Sequence, residues 1–239
     1  MASEASRRID LNADVGEGLP PEVDRSLMEV VTSASIACGG HAGDPDTMRR
    51  TLDAARELGI RVGAHPSYPD REGFGRRSMD LAPQALRSSI EQQVAALCDA
   101  ASLAGVEVAY LKPHGALYND AAVNSELIGL LLDLGRDLGL PLMLLGGAVE
   151  REIRHDDARP LPRLIREGFL DRRYTQDGAL VPRDRPGALI SDPETAARQA
   201  LVLAPSVDSL CVHSDSPSAL YLVRYARSAL ETAGYQVGP

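Results

Sequence analysis

The sequence predicts an α/β protein in which strands of a parallel sheet alternate with helices. Short apolar runs typical of strands recur along the whole chain, and amphipathic helical stretches separate most of them. The seven strand-type runs are 9–13, 34–38, 61–65, 106–112, 141–146, 162–169 and 208–213. Neighbouring parallel strands require long crossover connections, usually helices, so this alternation indicates a parallel sheet covered by helices. Seven strands are compatible with an open doubly wound sheet or with a closed β/α barrel.

Helix boundaries carry separate signals. A potential N-cap residue followed by proline precedes three helical stretches, at Asp44, Asp192 and Ser216. Glycine, a common helix terminator, follows four of them, at Gly59, Gly105, Gly139 and Gly234. Two long polar segments, 67–82 and 170–190, follow the third and sixth strands. Long loops in compact domains are often functional, which directs attention to both segments.

Composition restricts the class of protein. No linker, repeat or composition shift divides the 239 residues, so a single catalytic domain over 1–239 is expected, with 1–7 as a disordered N-terminal tail. The net charge of -9 argues against nucleic acid as a partner. No apolar segment resembles a secretion signal or is long enough to span a bilayer. Three cysteines without a CxxC pair favour a reducing compartment, so a soluble cytoplasmic protein without a membrane partner is expected.

Reactive side chains concentrate where the predicted strands end. Four of the five histidines follow strands, whereas His155 lies in a charged stretch typical of protein surface. In β/α folds the carboxyl ends of the strands open on one face, so these side chains are expected to share one site. The candidates, in chain order, are Asn12, Asp14, Glu17, His41, His65, Lys112, His114, Tyr118, Arg172, Arg183, His213 and Asp215.

Lys112 is the only lysine among 25 basic residues. Its ammonium is a compact charge whose pKa changes readily on burial, so lysine can serve as an acid, a base or a single-point anchor where arginine cannot. We therefore interpret Lys112 as a candidate for lysine-specific chemistry. The competing interpretation is a surface lysine retained by chance.

Several candidates also have a purely structural interpretation. Asp14 suits an Asx turn as well as a carboxylate that contacts a ligand. His65 and His213 are also compatible with hydrogen-bonded core positions. Asp215 is a candidate either to orient His213 or to cap the following helix. Cys38 is better interpreted as a buried inert thiol than as a nucleophile.

A metal site is one of two possibilities that these residues leave open. Asp14, His41 and His65 supply one carboxylate and two imidazoles from three strand ends, a plausible set for a divalent ion. No diagnostic spacing such as HExxH accompanies them. A metal-free site, in which Lys112 and the histidines act as acids and bases, fits the same residues equally well.

The ordered motifs resemble those of the LamB/YcsF lactam-utilisation family. They are NADVGEG, SIACGGHAGDP, GAHPSYPDREGFGRR, LKPHGALYN, GFLDRRYTQDGALVPR and CVHSDSP, and they extend over nearly the whole chain. Ser35 stands where asparagine is expected from the family pattern. The resemblance implies a single-domain, seven-stranded, distorted β/α barrel of the glycoside hydrolase/deacetylase type. It also implies service as the A component of the bacterial ATP-dependent 5-oxoprolinase, together with subunits B and C.

The implied reaction converts 5-oxo-L-proline, ATP and water into L-glutamate, ADP and phosphate. The chain has no GxGxxG motif after the first strand and no GxxxxGK[ST] motif, so ATP is expected to be a cosubstrate handled wholly or partly by the partner subunits. We hypothesise that Asp14 or Glu17 is the general base and that Lys112 stabilises the developing oxyanion or phosphate. The ring nitrogen would be protonated by His114 or His213, and the substrate carboxylate anchored by Arg172 or Arg183. The other expected substrate contacts are Asn12, His41, His65, Tyr118 and Asp215.

Two other functions remain open. The first is a metal-dependent deacetylase or amide hydrolase acting on a sugar or another lactam. The second is a non-catalytic component that binds a carbohydrate or a lactam. Substitution of Asp14 or Lys112 distinguishes a catalytic from a non-catalytic role.

Overall fold

The computed structural model of the protein describes residues 7–147 and 161–239. Residues 1–6 of the predicted tail, and His155, lie outside the described residues. In the described part of the chain, no helix combines the length and apolar character required to cross a membrane.

Eight parallel strands are present in the described residues, and seven of them form a closed barrel. β1 pairs with both β2 and β7, which closes the barrel and decides between the two predicted sheet arrangements. All seven predicted strands are confirmed; the eighth, a two-residue strand that pairs with β1 outside the ring, was not predicted. The strands are β1 Arg8–Val15, β2 Ser33–Ala37, β3 Arg61–His65, β4 Val108–Leu111, β5 Leu142–Leu145, β6 Leu164–Phe169, β7 Ser209–His213 and β8 Gln236–Val237.

Helices connect the strands of the barrel. They are α1 Pro21–Met28, α2 Pro45–Leu58, α3 Pro83–Ala104, α4 Gly115–Ala121, α5 Ser125–Leu138, α6 Pro193–Leu203 and α7 Ala219–Thr232. Asp44 and Asp192 cap α2 and α6 as predicted, each accepting a backbone N–H three residues on. The prediction that Ser216 caps α7 is wrong. Its hydroxyl donates to Asp171, and α7 begins after Ser218, whose φ of 64° is left-handed.

Polar residues occupy part of the barrel interior because short hydroxyl side chains satisfy them. The Asp10 carboxylate, 4% exposed, accepts hydrogen bonds from the hydroxyls of Thr32 at 2.6 Å, Ser33 at 2.7 Å and Ser209 at 2.5 Å. Ser209 in turn accepts the Asn12 side-chain amide at 2.8 Å. Buried polar groups are tolerated when they are hydrogen-bonded in this way. The network supports the floor of the site at the carboxyl ends of the strands.

Gly63 on β3 is required by a close contact with the Tyr110 ring. A methyl group at Gly63 would overlap that ring, and Tyr110 is fully buried with its hydroxyl 3.1 Å from Ser35 Oγ. We expect Gly63→Ala to lower the free energy of unfolding by about 1–3 kcal/mol, the usual cost of overpacking. Urea unfolding measures this change. Gly129→Ala on α5, where the added methyl meets nothing within 4 Å, is the matched control and is expected to stabilise by about 0.5–1 kcal/mol. Equal effects of the two substitutions would contradict the packing argument.

Candidate active site

A cavity of about 770 Å³ opens at the carboxyl ends of the strands. Eight of the twelve predicted site residues line it: Asp14, His65, Lys112, His114, Tyr118, Arg172, Arg183 and His213. The other four, Asn12, Glu17, His41 and Asp215, contact residues of this lining directly. The fold therefore brings all twelve positions together at one end of the barrel.

Lys112 lies at the centre of a buried ion network. It is 1% exposed, and its Nζ lies 2.6 Å from Asp14 Oδ1 and 2.8 Å from Glu167 Oε1. Nζ also donates to Asn12 Oδ1 at 3.2 Å and lies 3.2 Å from Cys211 Sγ. Burial by itself would lower the pKa of Lys112, but the Asp14, Cys211 and Glu167 groups outweigh it and hold the pKa well above its usual value. Lys112 is therefore a permanent ammonium, suited to stabilising negative charge and not to accepting a proton.

The carboxylates around Lys112 are held by further contacts. Burial would raise the pKa of Asp14, but nearby His65 and Lys112 outweigh it and keep that pKa well below the usual range. Glu167 accepts the Tyr118 hydroxyl at 2.8 Å and the Asn12 amide at 3.0 Å. Glu167 was not among the predicted site residues. Its position at the end of the sixth strand was the available signal.

Three histidines and a glutamate form a second buried group, which we call the histidine–glutamate cluster. Its members are Glu17, His41, His65 and His114. Glu17 Oε1 lies 3.0 Å from His41 Nε2, 3.1 Å from His114 Nδ1 and 3.7 Å from His65 Nε2. The rings of His41 and His114 stack with their centroids 3.6 Å apart.

The charge state of the cluster follows from its burial. Burial lowers the pKa of His41 to about 3 and also lowers that of His114, so both rings are neutral near pH 7. Burial would raise the pKa of Glu17, but hydrogen bonds from His114 and His41 outweigh it, and Glu17 remains a carboxylate. Asp14, a predicted metal candidate, lies at the edge of the cluster, with Oδ2 3.4 Å from His65 Nε2.

His213 is oriented by Asp171. The His213 Nδ1 lies 3.0 Å from Asp171 Oδ2, and the His213 backbone N–H donates to the same oxygen at 3.2 Å. Burial by itself would lower the pKa of His213, but Asp171 raises it above its usual value. Asp171, which was not among the predicted site residues, thus takes the orienting role considered for Asp215. Asp215 instead pairs with Arg76 at 2.6 Å and Arg183 at 2.5 Å, as its charge and loop position allow.

Arginine side chains form the opposite wall of the cavity. Arg172, 6% exposed, donates from Nη2 to the Val181 carbonyl at 2.7 Å, while its Nε has no hydrogen-bond partner among the described residues. Arg76 and Arg183 also line this wall. An unsatisfied buried guanidinium nitrogen in a basic wall is suited to a carboxylate or phosphate. Two antiparallel bridges, Arg172 with Leu189 and Tyr174 with Leu180, hold the loop that carries Arg172.

Cys38 is not arranged as a nucleophile. Its thiol is 2% exposed, and burial raises its pKa well above the usual value, so the reactive thiolate is disfavoured. The interpretation of Cys38 as an inert buried thiol therefore agrees with its surroundings.

The comparison with protein families decides the relationship of the chain. The model of the LamB/YcsF family matches residues 9–239. The chain belongs to the LamB/YcsF family. It is 43% identical to the A subunit of 5-oxoprolinase from Methylococcus capsulatus, over 97% of this chain and 95% of that protein. A relative from Pyrococcus abyssi with the same name is 41% identical over 97% of each chain.

Among solved structures, the chain is similar to the lactam utilization protein of Thermus thermophilus. The identity is 36%, the TM-score is 0.85, and the match covers 97% of this chain and 99% of that one. A family 4 carbohydrate esterase from Streptomyces lividans matches with a TM-score of 0.56 and 14% identity, covering 97% of this chain and 92% of that one. This distant match supports the fold alone, and it agrees with the predicted barrel of the deacetylase type.

Proposed function

We propose that this LamB/YcsF chain is the A component of an ATP-dependent 5-oxoprolinase, which hydrolyses 5-oxo-L-proline to L-glutamate together with subunits B and C. The observation that carries the proposal is its similarity, over nearly the full length, to proteins named as the A subunit of 5-oxoprolinase. The chemistry of the cavity supports it, because a carboxylate-binding wall faces a wall suited to amide hydrolysis.

The two walls accommodate the two ends of the substrate. The carboxylate of 5-oxo-L-proline would bind the basic wall, where Arg172 Nε lacks a partner among the described residues and Arg183 lies alongside. This places the lactam ring towards Lys112 and His213, which line the same cavity. Charge-assisted hydrogen bonds from a guanidinium to a carboxylate are stronger than those between neutral groups, so this end would fix the orientation.

The lactam is an unstrained amide and needs activation before water can open it. Phosphorylation of the amide oxygen by ATP would convert that oxygen into a leaving group. Lys112, kept cationic by its carboxylate neighbours, would stabilise the negative charge that develops at this oxygen or at the phosphate. His213, backed by Asp171, would deliver the proton to the ring nitrogen. Of the two candidate bases, Asp14 reaches the cavity, whereas Glu17 lies behind the histidines; Asp14 would therefore activate the water.

ATP and the partner subunits are part of the proposal. The sequence lacks the phosphate-binding glycine motifs, which favours handling of ATP wholly or partly by subunits B and C. The cysteines Cys38, Cys98 and Cys211 are all free thiols, which supports a cytoplasmic location in a reducing compartment.

Reconstitution tests the proposed reaction. We expect glutamate release from 5-oxo-L-proline and ATP when the chain is combined with subunits B and C, and no release when any one of the three proteins is left out. Substrate-dependent phosphate release in the same samples measures the coupling to ATP. Absence of glutamate from the complete mixture, with all three proteins folded, would contradict the proposal.

A second candidate function is favoured by the histidine–glutamate cluster. A metal-dependent hydrolase of an acetylated sugar or another lactam would use such a group of donors. It predicts amide or acetyl hydrolysis without ATP or partners, abolished by a chelator and restored by Zn²⁺, Mn²⁺ or Co²⁺. The same preparation of the chain, assayed alone on acetylated sugars, separates this function from the first.

A further inference from the structure

We propose that the histidine–glutamate cluster binds one divalent transition-metal ion, with Zn²⁺ as the best-fitting ion. One donor atom from each of its four side chains lies within 4.8 Å of the others, and all four side chains are buried. The inference concerns ion binding and does not depend on which reaction the chain catalyses.

The tautomers of two histidines direct lone pairs at each other. His65 Nδ1 lies 2.8 Å from the Lys112 carbonyl oxygen, so Nδ1 carries the proton and donates it. His114 Nε2 lies 3.0 Å from the Phe74 carbonyl oxygen and donates likewise. In the neutral rings the remaining nitrogens, His65 Nε2 and His114 Nδ1, are therefore both acceptors, yet they lie 3.0 Å apart. Two acceptors at this distance repel unless a cation or an additional proton lies between them.

The spacing of the donors suits an ion. In a tetrahedral site with Zn–N bonds of about 2.0–2.1 Å, neighbouring donor atoms lie about 3.3 Å apart. The Glu17 oxygen lies 3.0 Å from His41 Nε2, 3.1 Å from His114 Nδ1 and 3.7 Å from His65 Nε2. These separations bracket the tetrahedral value without rearrangement of the backbone.

Second-sphere contacts and charge favour the same conclusion. The backbone carbonyls that accept from His65 and His114 fix each ring with one nitrogen towards the cluster, the usual arrangement around metal-binding histidines. His41 Nδ1 has no hydrogen-bond partner among the described residues, so the described part of the protein does not satisfy this ring. The buried carboxylates nearby share one buried ammonium, that of Lys112, and a dication would offset the excess negative charge.

The donor types define the class of ion. Imidazoles with one carboxylate suit Zn²⁺, Co²⁺ and related transition metals, whereas Mg²⁺ and Ca²⁺ prefer sites made of oxygen ligands. His65 and His114 also line the cavity, so the ion would lie beside the space for the substrate. When bound there, it would supply Lewis-acid polarisation of a carbonyl or water.

Metal titration of the isolated full chain tests the inference. After dialysis against a chelator, we expect Zn²⁺ to bind with a stoichiometry of one by calorimetry, and Co²⁺ to develop the visible absorption of a nitrogen- and oxygen-ligated site. Zn²⁺ should also raise the melting temperature, because it binds the folded state only. Glu17→Gln and His65→Gln should weaken binding by more than the roughly 10–100-fold that loss of an outer hydrogen-bond partner costs.

His213→Gln is the matched control, because it removes a histidine from the same cavity but not from the cluster. It should leave the stoichiometry and affinity for Zn²⁺ unchanged. Lack of Zn²⁺ binding by folded wild-type chain would overturn the inference and indicate that the cluster shares a proton instead. Equal affinity in wild type, Glu17→Gln and His65→Gln would overturn it too. The wild-type titration decides even where a variant fails to fold, and it requires neither ATP nor lactam, so its failure is separate from failure of the proposed reaction.

Discussion

Replacing Lys112 by arginine is expected to abolish 5-oxo-L-proline turnover by the reconstituted enzyme even though the positive charge is kept. The Lys112 ammonium is 1% exposed and lies within 3.2 Å of Asp14, Glu167 and Asn12. A guanidinium is larger and planar, so it cannot occupy that space without displacing these groups. Loss of one preorganised charge-stabilising group costs about 10²–10³ in kcat, and displacement of Asp14 should add to it.

A second variant separates charge from shape. Lys112→Met keeps the length of the side chain but leaves Asp14 and Glu167 without their buried cation. Removal of one partner from a buried ion pair costs about 3–5 kcal/mol, so urea unfolding should show a large loss of stability. Arg49→Lys, an exposed exchange between the same two residue types on α2, is the control and should change the free energy of unfolding by less than about 0.5 kcal/mol. Wild-type turnover by a folded Lys112→Arg enzyme would reduce Lys112 to a structural role.

Replacing His213 by glutamine is expected to lower kcat by about 10²–10⁴, the usual contribution of a general acid. Glutamine preserves a hydrogen-bond donor for Asp171 but cannot deliver a proton to the ring nitrogen. Glutamate release at saturating ATP measures the change. An unaltered kcat with a raised KM would contradict the role as an acid and would indicate substrate binding alone.

The same variant should change how stability depends on pH. Asp171 raises the pKa of His213 in the folded state above 6.5, so the folded state favours the imidazolium. The stabilisation is therefore fully present below pH 6.5 and is lost as the pH rises through the raised folded pKa. Denaturant unfolding across this interval should show the decline in wild type and a smaller decline in His213→Gln. Ser216→Ala removes one hydrogen bond to Asp171 but keeps the imidazole, and it should retain the decline.

Local sequence signals were sufficient for much of the architecture. The seven strands were predictable because buried parallel strands require uninterrupted apolar runs, and the caps at Asp44 and Asp192 because their side chains act within one turn. The cap predicted at Ser216 failed because the serine hydroxyl bonds to Asp171, 45 residues earlier in the chain. Local patterns carry no information on such a distant partner.

The predicted site shows the same division. The grouping of Lys112 with the histidines followed from their positions at strand ends, since parallel strands present those ends on one face. The inclusion of Glu167 and Asp171 did not follow, because each acts through a single partner from another strand, Lys112 and His213 respectively. The assignment of individual roles in catalysis stays a prediction.

The sequence by itself determined the class of fold, the family and the face of the barrel on which the reactive residues lie, because each depends on periodicity or on ordered motifs. The tertiary structure alone decided the closure of the barrel, which rests on pairing of β1 with β2 and β7. It also decided that Lys112 is a permanent cation, since burial and nearby carboxylates act on its pKa in opposite directions and only their distances determine the outcome. Likewise, only three-dimensional proximity placed Glu17 among three histidines from separate strand ends, because through-space contacts leave no periodic trace in the chain.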